Sequence, residues 1–181
     1  MYFDELITPF GKLLLIANTT AITSIRFTTA THNLSSNALL LEAKQQLLEY
    51  CHGKRHTFSL PLAPQGTAFQ QAVWQQLQSI RYGATESYQT VATALNVPNA
   101  YRAVGAANAR NPIAIIIPCH RVIGKNGQLT GYAGGLERKQ QLLDLERANR
   151  SNSFSFNQQS KVSHASQNSD INALGTEVTH S

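Results

Sequence analysis

The sequence predicts an α+β protein in which an antiparallel sheet with one helix precedes a mostly helical region. Short apolar or β-branched runs separated by turn residues come first, and apolar residues at three- and four-residue spacing follow. The chain has 181 residues and is 42% hydrophobic, which is enough to bury a core. We therefore divide it into an N-terminal α/β domain at 1–62, a C-terminal domain at 63–150 and a polar tail at 151–181.

Two strands and one helix are predicted in the N-terminal domain. Residues 13–16 and 22–27 are apolar or β-branched, and the Asn-Thr-Thr sequence between them is typical of a turn, so they should pair as antiparallel strands. A helix is expected at about 37–51, because four apolar side chains recur at helical spacing. These are Leu40, Ala43, Leu47 and Tyr50. Cys51 ends this helix and is interpreted as a small, partly buried residue.

The C-terminal domain begins after a linker marked by Pro61 and Pro64. Thr67 should cap a helix with an apolar stripe, beside which Trp74 lies. The stripe consists of Phe69, Val73, Leu77 and Ile80. Ser87 should cap a short helix ending at Leu95, and a tight turn then leads into a further helix at about 99–109. That spacing is typical of a helix-turn-helix.

The second helix of this pair carries mainly Ala, Gly and Asn, with Arg102 projecting from its small face. Small side chains let a helix approach another surface closely. That surface is either another helix or a DNA groove, in which the arginine would probe the bases.

After this helix, residues 113–117 form an apolar run between Pro112 and Pro118. Such a run predicts a short buried strand or extended segment that brings Cys119 to the rim of the core. A turn at 124–127, a glycine-rich loop and a last helix at 136–148 should follow. In the polar tail, fifteen of 31 residues are Ser, Asn or Gln, so we expect disorder there.

The charge of the chain is concentrated in the C-terminal domain. Of the net charge of +5, residues 63–150 contribute nine Lys and Arg against four Asp and Glu. This excess suits a polyanionic partner such as DNA, although a solvated basic face would give the same count. Neither a membrane-spanning stretch nor a signal peptide is recognisable, so we expect a cytoplasmic protein with no membrane partner. In that compartment the two cysteines should not form a disulfide.

Reactive chemistry is suggested by the sequence Pro-Cys-His-Arg-Val at 118–122. A thiol with an ordinary pKa of about 8.5 is a poor nucleophile at neutral pH unless a base or a positive charge favours the thiolate. We expect His120 and Arg121 to supply these. On this motif alone, Cys119 could also belong to a Cys-His-Glu hydrolase.

Over residues 67–148 the chain resembles the O6-alkylguanine-DNA alkyltransferase family. The sequences RYGATESYQTVA, YRAVGAANARNPIAIIIPCHRVIG and GYAGGL occur in the order that the family shows. The resemblance implies a ribonuclease H-like N-terminal domain and a winged helix-turn-helix-like motif that docks in the minor groove. It also implies direct-reversal repair by a monomer, in which Cys119 takes an alkyl group from O6-alkylguanine, and also from O4-alkylthymine, in double-stranded DNA.

This reaction implies one turnover per molecule and no cofactor. Some family members hold a structural zinc in the N-terminal domain, but residues 1–50 have no Cys and His cluster of that kind, and we predict no metal. The remaining alternative is a non-catalytic DNA-binding protein or lesion sensor on the same scaffold, although a sensor would not need the thiol.

The family also implies roles for individual residues. Cys119 would be the alkyl acceptor, His120 its water-bridged base and Glu146 the carboxylate that orients the histidine. Asn111 would brace the turn before the cysteine. Tyr88 would donate a hydrogen bond toward the leaving base and also contact the DNA.

Arg102 would fill the space that a flipped-out base vacates. The other predicted DNA-binding residues are Ala103, Gly105 and Arg110. The predicted substrate pocket consists of Val122, whose carbonyl would accept from the guanine amino group, with Tyr132, Ala133 and Gly134. Three residues depart from the family pattern. Tyr101 replaces a residue that is usually small, and Ala114 and Ala133 occupy positions where other members can carry Pro and Ser.

Overall fold

The computed structural model describes residues 1–165, and for 151–165 it gives the helical backbone alone. Strands β1 (Tyr2–Thr8), β2 (Gly11–Ala17) and β3 (Ile22–Phe27) form an antiparallel sheet in the order β1-β2-β3. The two predicted strands are therefore present and paired as expected, as β2 and β3. The predicted α+β fold class is confirmed.

Strand β1 was not predicted from the sequence, because the buried face of this strand is mostly polar. Asp4 and Thr8 point inward on either side of Leu6. The Asp4 carboxylate accepts from Ser36 Oγ at 2.7 Å and from Lys44 Nζ at 2.9 Å, so its burial is compensated by hydrogen bonds. The alternation that marks a half-buried strand is therefore hidden in the sequence.

Helix α1 (Ala38–Cys51) packs against β1 and β2. It begins where predicted, because the Asn37 side chain accepts from the Leu40 backbone N–H at 2.9 Å. All four residues of its predicted apolar stripe are buried. Cys51 is 6% exposed at the end of the helix.

Helix α2 (Ala68–Leu77) begins with a capping box in which Thr67 and Gln70 bond each other's backbone N–H groups. The predicted stripe is wrong in two members, since Phe69 is 36% exposed and Ile80, although buried, lies beyond the end of the helix. The helix instead buries Trp74, whose Nε1 donates to the Ala107 carbonyl at 2.9 Å. That bond ties α2 to the following helix pair.

The helix pair is present as predicted. After the short strand β4 (Glu86–Ser87), Ser87 caps α3 (Tyr88–Ala94), and a turn leads into α4 (Tyr101–Ala109). Asn96 has a φ of 59° in that turn, a left-handed conformation that asparagine tolerates. Helices α2, α3 and α4 pack against one another.

The four isoleucines of residues 113–117 are buried, but the residues form neither the strand nor the extended segment that was predicted. Ile115 has a φ of 71°, and the segment turns back on itself. The side chain of Asn111 accepts from the Ile113 N–H at 3.0 Å and donates to the Ile117 carbonyl at 2.8 Å. The Asn111 amide thus supplies two hydrogen bonds to the backbone of this segment that a neighbouring strand would otherwise supply. Ile113 still bridges to Ile25 of β3, which joins the sheet to the segment that carries the cysteine.

Strand β5 (Val122–Ile123) pairs in parallel with β4. Helix α5 (Leu136–Ala165) is the last element among the described residues. Helix α5 continues past its predicted end at Ala148, because its sequence contains neither Gly nor Pro. The backbone of residues 151–165 is helical, and the disorder expected for the polar tail stays a prediction. The rest of the predicted tail, 166–181, lies outside the described residues. Among residues 1–165, no helix combines the length and apolar character needed to cross a membrane.

Candidate active site

The thiol of Cys119 lies at the start of a 3-10 turn, Cys119–Arg121, and the residue is only 5% exposed. Asn111 Nδ2 donates to its Sγ at 3.0 Å, so the predicted bracing residue also contacts the sulfur itself. Burial raises the pKa of Cys119, while this hydrogen bond and the charge of Lys139 act to lower it.

His120 and Glu146 meet as predicted, with His120 Nε2 lying 2.8 Å from Glu146 Oε1 and both residues fully buried. A carboxylate can only accept, so Nε2 carries the hydrogen of this contact. In the neutral imidazole, Nδ1 then keeps its lone pair and can act as a base. None of the side chains described, those of residues 1–150, gives Nδ1 a hydrogen-bond partner.

Glu146 accepts hydrogen bonds from four residues, not from the histidine alone. Tyr50 Oη donates at 2.7 Å, the Gly83 backbone N–H at 2.9 Å, and Arg121 donates through Nη2 at 2.9 Å and Nε at 3.0 Å. Burial by itself would raise the pKa of Glu146, but the bond from His120 and the Arg121 charge bring it to about 2. The carboxylate is therefore ionised at neutral pH.

Arg121 does not assist the thiolate in the expected way. Its guanidinium pairs with Glu146 and donates through Nη1 to the Ile80 carbonyl at 2.6 Å. It therefore neutralises the carboxylate, which leaves less charge to favour a protonated histidine. Burial lowers the pKa of His120 and the Glu146 contact only partly offsets this, so the imidazole is neutral and able to accept a proton.

Lys139, not Arg121, is the cation whose charge acts to lower the pKa of Cys119. It was not among the residues predicted from the sequence. It is fully buried and donates to the Val122 carbonyl at 2.6 Å and the Thr130 carbonyl at 2.8 Å. Burial lowers its pKa to about 8. Its spacing was the available signal, because it lies seven residues before Glu146 on the same inward face of α5.

Tyr88, at the start of α3, lies beside this lysine. Its hydroxyl donates to the same Thr130 carbonyl at 3.1 Å, and the Lys139 Nζ lies 6.0 Å from the centroid of its ring. Burial raises the pKa of Tyr88, so the phenol keeps its proton and remains a hydrogen-bond donor. A Cβ at Gly105 would lie 3.7 Å from the ring, which places the predicted helix glycine against it.

A cavity of about 250 Å³ opens beside Cys119. Three of the four predicted pocket residues line it, namely Tyr132, Ala133 and Gly134. The exception is Val122, which is fully buried in β5 and whose carbonyl accepts from Lys139. The other lining residues come from β3, from the end of α4 and from the segment before the cysteine. They are Ile25, Arg26, Phe27, Asn108, Ala109, Asn111 and Ala114.

Helix α4 turns its small, basic face to the solvent. Arg102, Ala103 and Arg110 are exposed, and Gly105 is half-buried. The opposite face packs on the core through Val104, Ala107 and Asn108. Tyr101 is 41% exposed, and the guanidinium carbon of Arg102 lies 5.8 Å from the centroid of its ring. In the described part of the chain, no group of three or more His, Cys, Asp or Glu side chains could hold a metal ion.

Two family models match the chain. The model described as 6-O-methylguanine DNA methyltransferase, DNA binding domain, matches residues 68–148. The model described as 6-O-methylguanine DNA methyltransferase, ribonuclease-like domain, matches residues 1–64. Together they include every residue of the site described above.

Relatives agree with the family models. A methylated-DNA–protein-cysteine methyltransferase of Methanosarcina barkeri is 47% identical over 156 residues, which are 82% of this chain and 99% of that protein. The constitutive enzyme of Bacillus subtilis is 46% identical over 81% of this chain and 95% of its own length. The crystal structure of Mycobacterium tuberculosis OGT in complex with DNA superposes with a TM-score of 0.77 at 43% identity, covering 82% of this chain and 94% of that one. This chain therefore belongs to the 6-O-methylguanine DNA methyltransferase family.

Proposed function

We propose that this protein repairs alkylated DNA by direct reversal, moving an alkyl group from O6 of guanine to its own Cys119. The observation that carries the proposal is a single arrangement: the Cys119 thiol faces a cavity, Asn111 Nδ2 contacts its sulfur at 3.0 Å, and a buried His120–Glu146 pair follows it. The names of the relatives supply the substrate, since they are methyltransferases of methylated DNA that act on a protein cysteine.

In the proposed reaction the Cys119 thiolate attacks the alkyl carbon. The new S–C bond forms as the C–O6 bond breaks, and the guanine leaves with the bonding electrons. The thiol proton passes through a bridging water to His120 Nδ1, the ring nitrogen left free by the Glu146 contact. The Tyr88 phenol donates a hydrogen bond to the departing guanine and keeps its own proton. The proton held by His120 returns through water to the guanine anion, so neutral guanine leaves and the protons balance.

The product is a thioether, which has no leaving group that water can displace under mild conditions. Each molecule therefore acts once and needs no cofactor. The same displacement applies to O4-alkylthymine, because its alkyl carbon is likewise bound to an aromatic enol oxygen. We expect the protein to work as a monomer in the cytoplasm.

Access to the base requires flipping, because the alkylated oxygen lies inside the duplex. The exposed face of α4 is suited to the minor groove, since its alanines let the backbone approach the sugar edges closely. Arg102 is a long side chain among the alanines of that face and would occupy the vacated stack. Ala103 and Gly105 would lie against the groove, and Arg110 would contact a phosphate.

The decisive experiment is to incubate the protein with duplex DNA containing one O6-methylguanine and to map the tryptic peptides by mass. We expect a gain of one methyl group on the peptide containing Cys119 and restored guanine in the DNA. Cys51 provides the matched control, because it is also buried and burial raises its pKa to about 11. The variant Cys51→Ala should accept the methyl group normally. Complete repair with an unmodified Cys119 would overturn the mechanism.

A further inference from the structure

One wall of the cavity beside Cys119 comes from the N-terminal sheet. The last three residues of β3, Ile25, Arg26 and Phe27, line it together with the loop that contains Tyr132 and Gly134. A sheet with only a scaffolding role would not need to reach this cavity. These three residues of β3 therefore border the same cavity as the Cys119 thiol.

Phe27 is held in this wall by Arg138 of α5. The guanidinium carbon of Arg138 lies 4.2 Å from the centroid of the Phe27 ring, close enough for a cation–π contact. Arg138 Nε donates to the Phe10 carbonyl at 2.5 Å, and Nη1 donates to the Gly134 carbonyl. One arginine thus joins the turn between β1 and β2, the ring of Phe27 and the loop on the cavity.

The residues of this cavity wall are tightly packed. A Cβ built on Gly134 would lie 3.0 Å from Phe27 Cδ2 and 2.6 Å from Tyr132 Cε1. Gly11 is equally close to the arginine, since a Cβ there would lie 3.0 Å from Arg138 Nη2. Both glycines therefore allow the loop, the ring and the guanidinium to pack in direct contact.

From these contacts we propose that Phe27 sets the largest alkyl group that Cys119 can accept, and that Arg138 is a positioning residue which holds the ring in place. This inference rests on the proposed alkyl transfer. It adds that a residue of the N-terminal sheet limits the size of the alkyl group. A methyl group fits without moving the wall. A benzyl-sized group needs the space that the Phe27 ring limits.

The test compares two substrates in one duplex sequence, O6-methylguanine and O6-benzylguanine, under single-turnover conditions with DNA in excess. Phe27→Ala should raise the benzyl-to-methyl ratio of rate constants by about tenfold, the scale on which a pocket discriminates small apolar groups. Phe3→Ala is the matched control, because Phe3 lies in β1 and does not line the cavity. The ratio is insensitive to the fraction of folded protein, since both rates are measured on one preparation.

Arg138 is tested in the same assay. Arg138→Met keeps an apolar stem but loses both carbonyl contacts, and should raise the ratio by about threefold, less than removal of the ring. Arg138→Lys, which keeps a cation over the ring, should restore part of the selectivity. A loss of stability alone would leave the ratio unchanged in all of these variants.

An unchanged ratio in Phe27→Ala, with methyl transfer intact, would overturn this inference while leaving the proposed function in place. An increase of the same size in Phe3→Ala would overturn it as well. Absence of methyl transfer to Cys119 in the unmodified protein would instead refute the proposed function itself.

Discussion

The buried network around Glu146 and the exposed face of α4 differ in how their charges are compensated. Glu146 is fully buried and accepts from His120, Arg121, Tyr50 and Gly83. Among the side chains of residues 1–150, Arg102 has no ion-pair partner, and it faces solvent. The groups for proton transfer are thus in place before substrate binds. The positive charge on the proposed DNA-binding surface has no partner there and is available to a polyanion.

The largest effect should come from removing the thiol. This change tests whether alkyl transfer and DNA binding depend on separate regions of the molecule. Cys119→Ala should abolish alkyl transfer and leave the affinity for DNA unchanged, because α4 does not depend on the sulfur. Transfer is measured from the mass of the protein, and binding from a fluorescence titration with alkylated duplex. A parallel loss of binding would show that the two regions are not independent.

Breaking the buried network should have the next largest effect. Glu146→Gln leaves Arg121 buried without its counter-charge and should lower the free energy of unfolding by about 3–5 kcal/mol. Chemical denaturation measures this loss. The double variant Glu146→Gln with Arg121→Met should recover part of it, because the unpaired cation is then removed as well. No recovery would mean that the carboxylate stabilises the protein through Tyr50 and Gly83 instead.

A smaller and more selective effect is expected on the exposed face. Arg102→Ala should slow repair of the duplex about tenfold, while its reaction with free O6-benzylguanine should stay within about twofold, since a free base needs no flipping. Arg55→Ala serves as control, because Arg55 pairs with Glu49 in the N-terminal half. Equal slowing of duplex and free base would rule out the flipping role.

The smallest effect should be a shift in the pH profile of transfer. Burial raises the pKa of Cys119, so the thiolate fraction and the rate of reaction with the free base should increase as the pH rises from about 7 to 9. Asn111→Ala removes the hydrogen bond that lowers this pKa, and should move the profile to higher pH by about one unit. Rates measured across this range check the direction, and a shift to lower pH would contradict the assignment.

Local chemistry made some of these features predictable from the sequence. Thr67 and Ser87 each cap a helix where expected, and Asn37 caps the helix that was predicted to begin near it. These features are local, because a cap depends on residues three positions away. The pairing of His120 with Glu146 followed from the family resemblance. The position of the thiol at the edge of the core followed from the apolar run before it.

Long-range contacts set the rest and could not be read from the sequence. Arg121 pairs with a carboxylate 25 residues away, and the motif alone suggested the neighbouring thiol instead. The Asn111 amide folds 113–117 into turns where an apolar run predicted a strand. Phe27 lines the cavity from a strand whose Ile25 bridges to Ile113, a residue 88 positions further along the chain.

Helix α5 carries two charged residues of the active site, Lys139 and Glu146, on one buried face. Lys139, Leu142, Leu143 and Glu146 are buried at a spacing of three, four and seven residues. Removing one residue between the two leucines and Glu146 would rotate the carboxylate by about 100° relative to the lysine. Helix length between these two charges should therefore be invariant among active members, even where the identity of the intervening residues drifts.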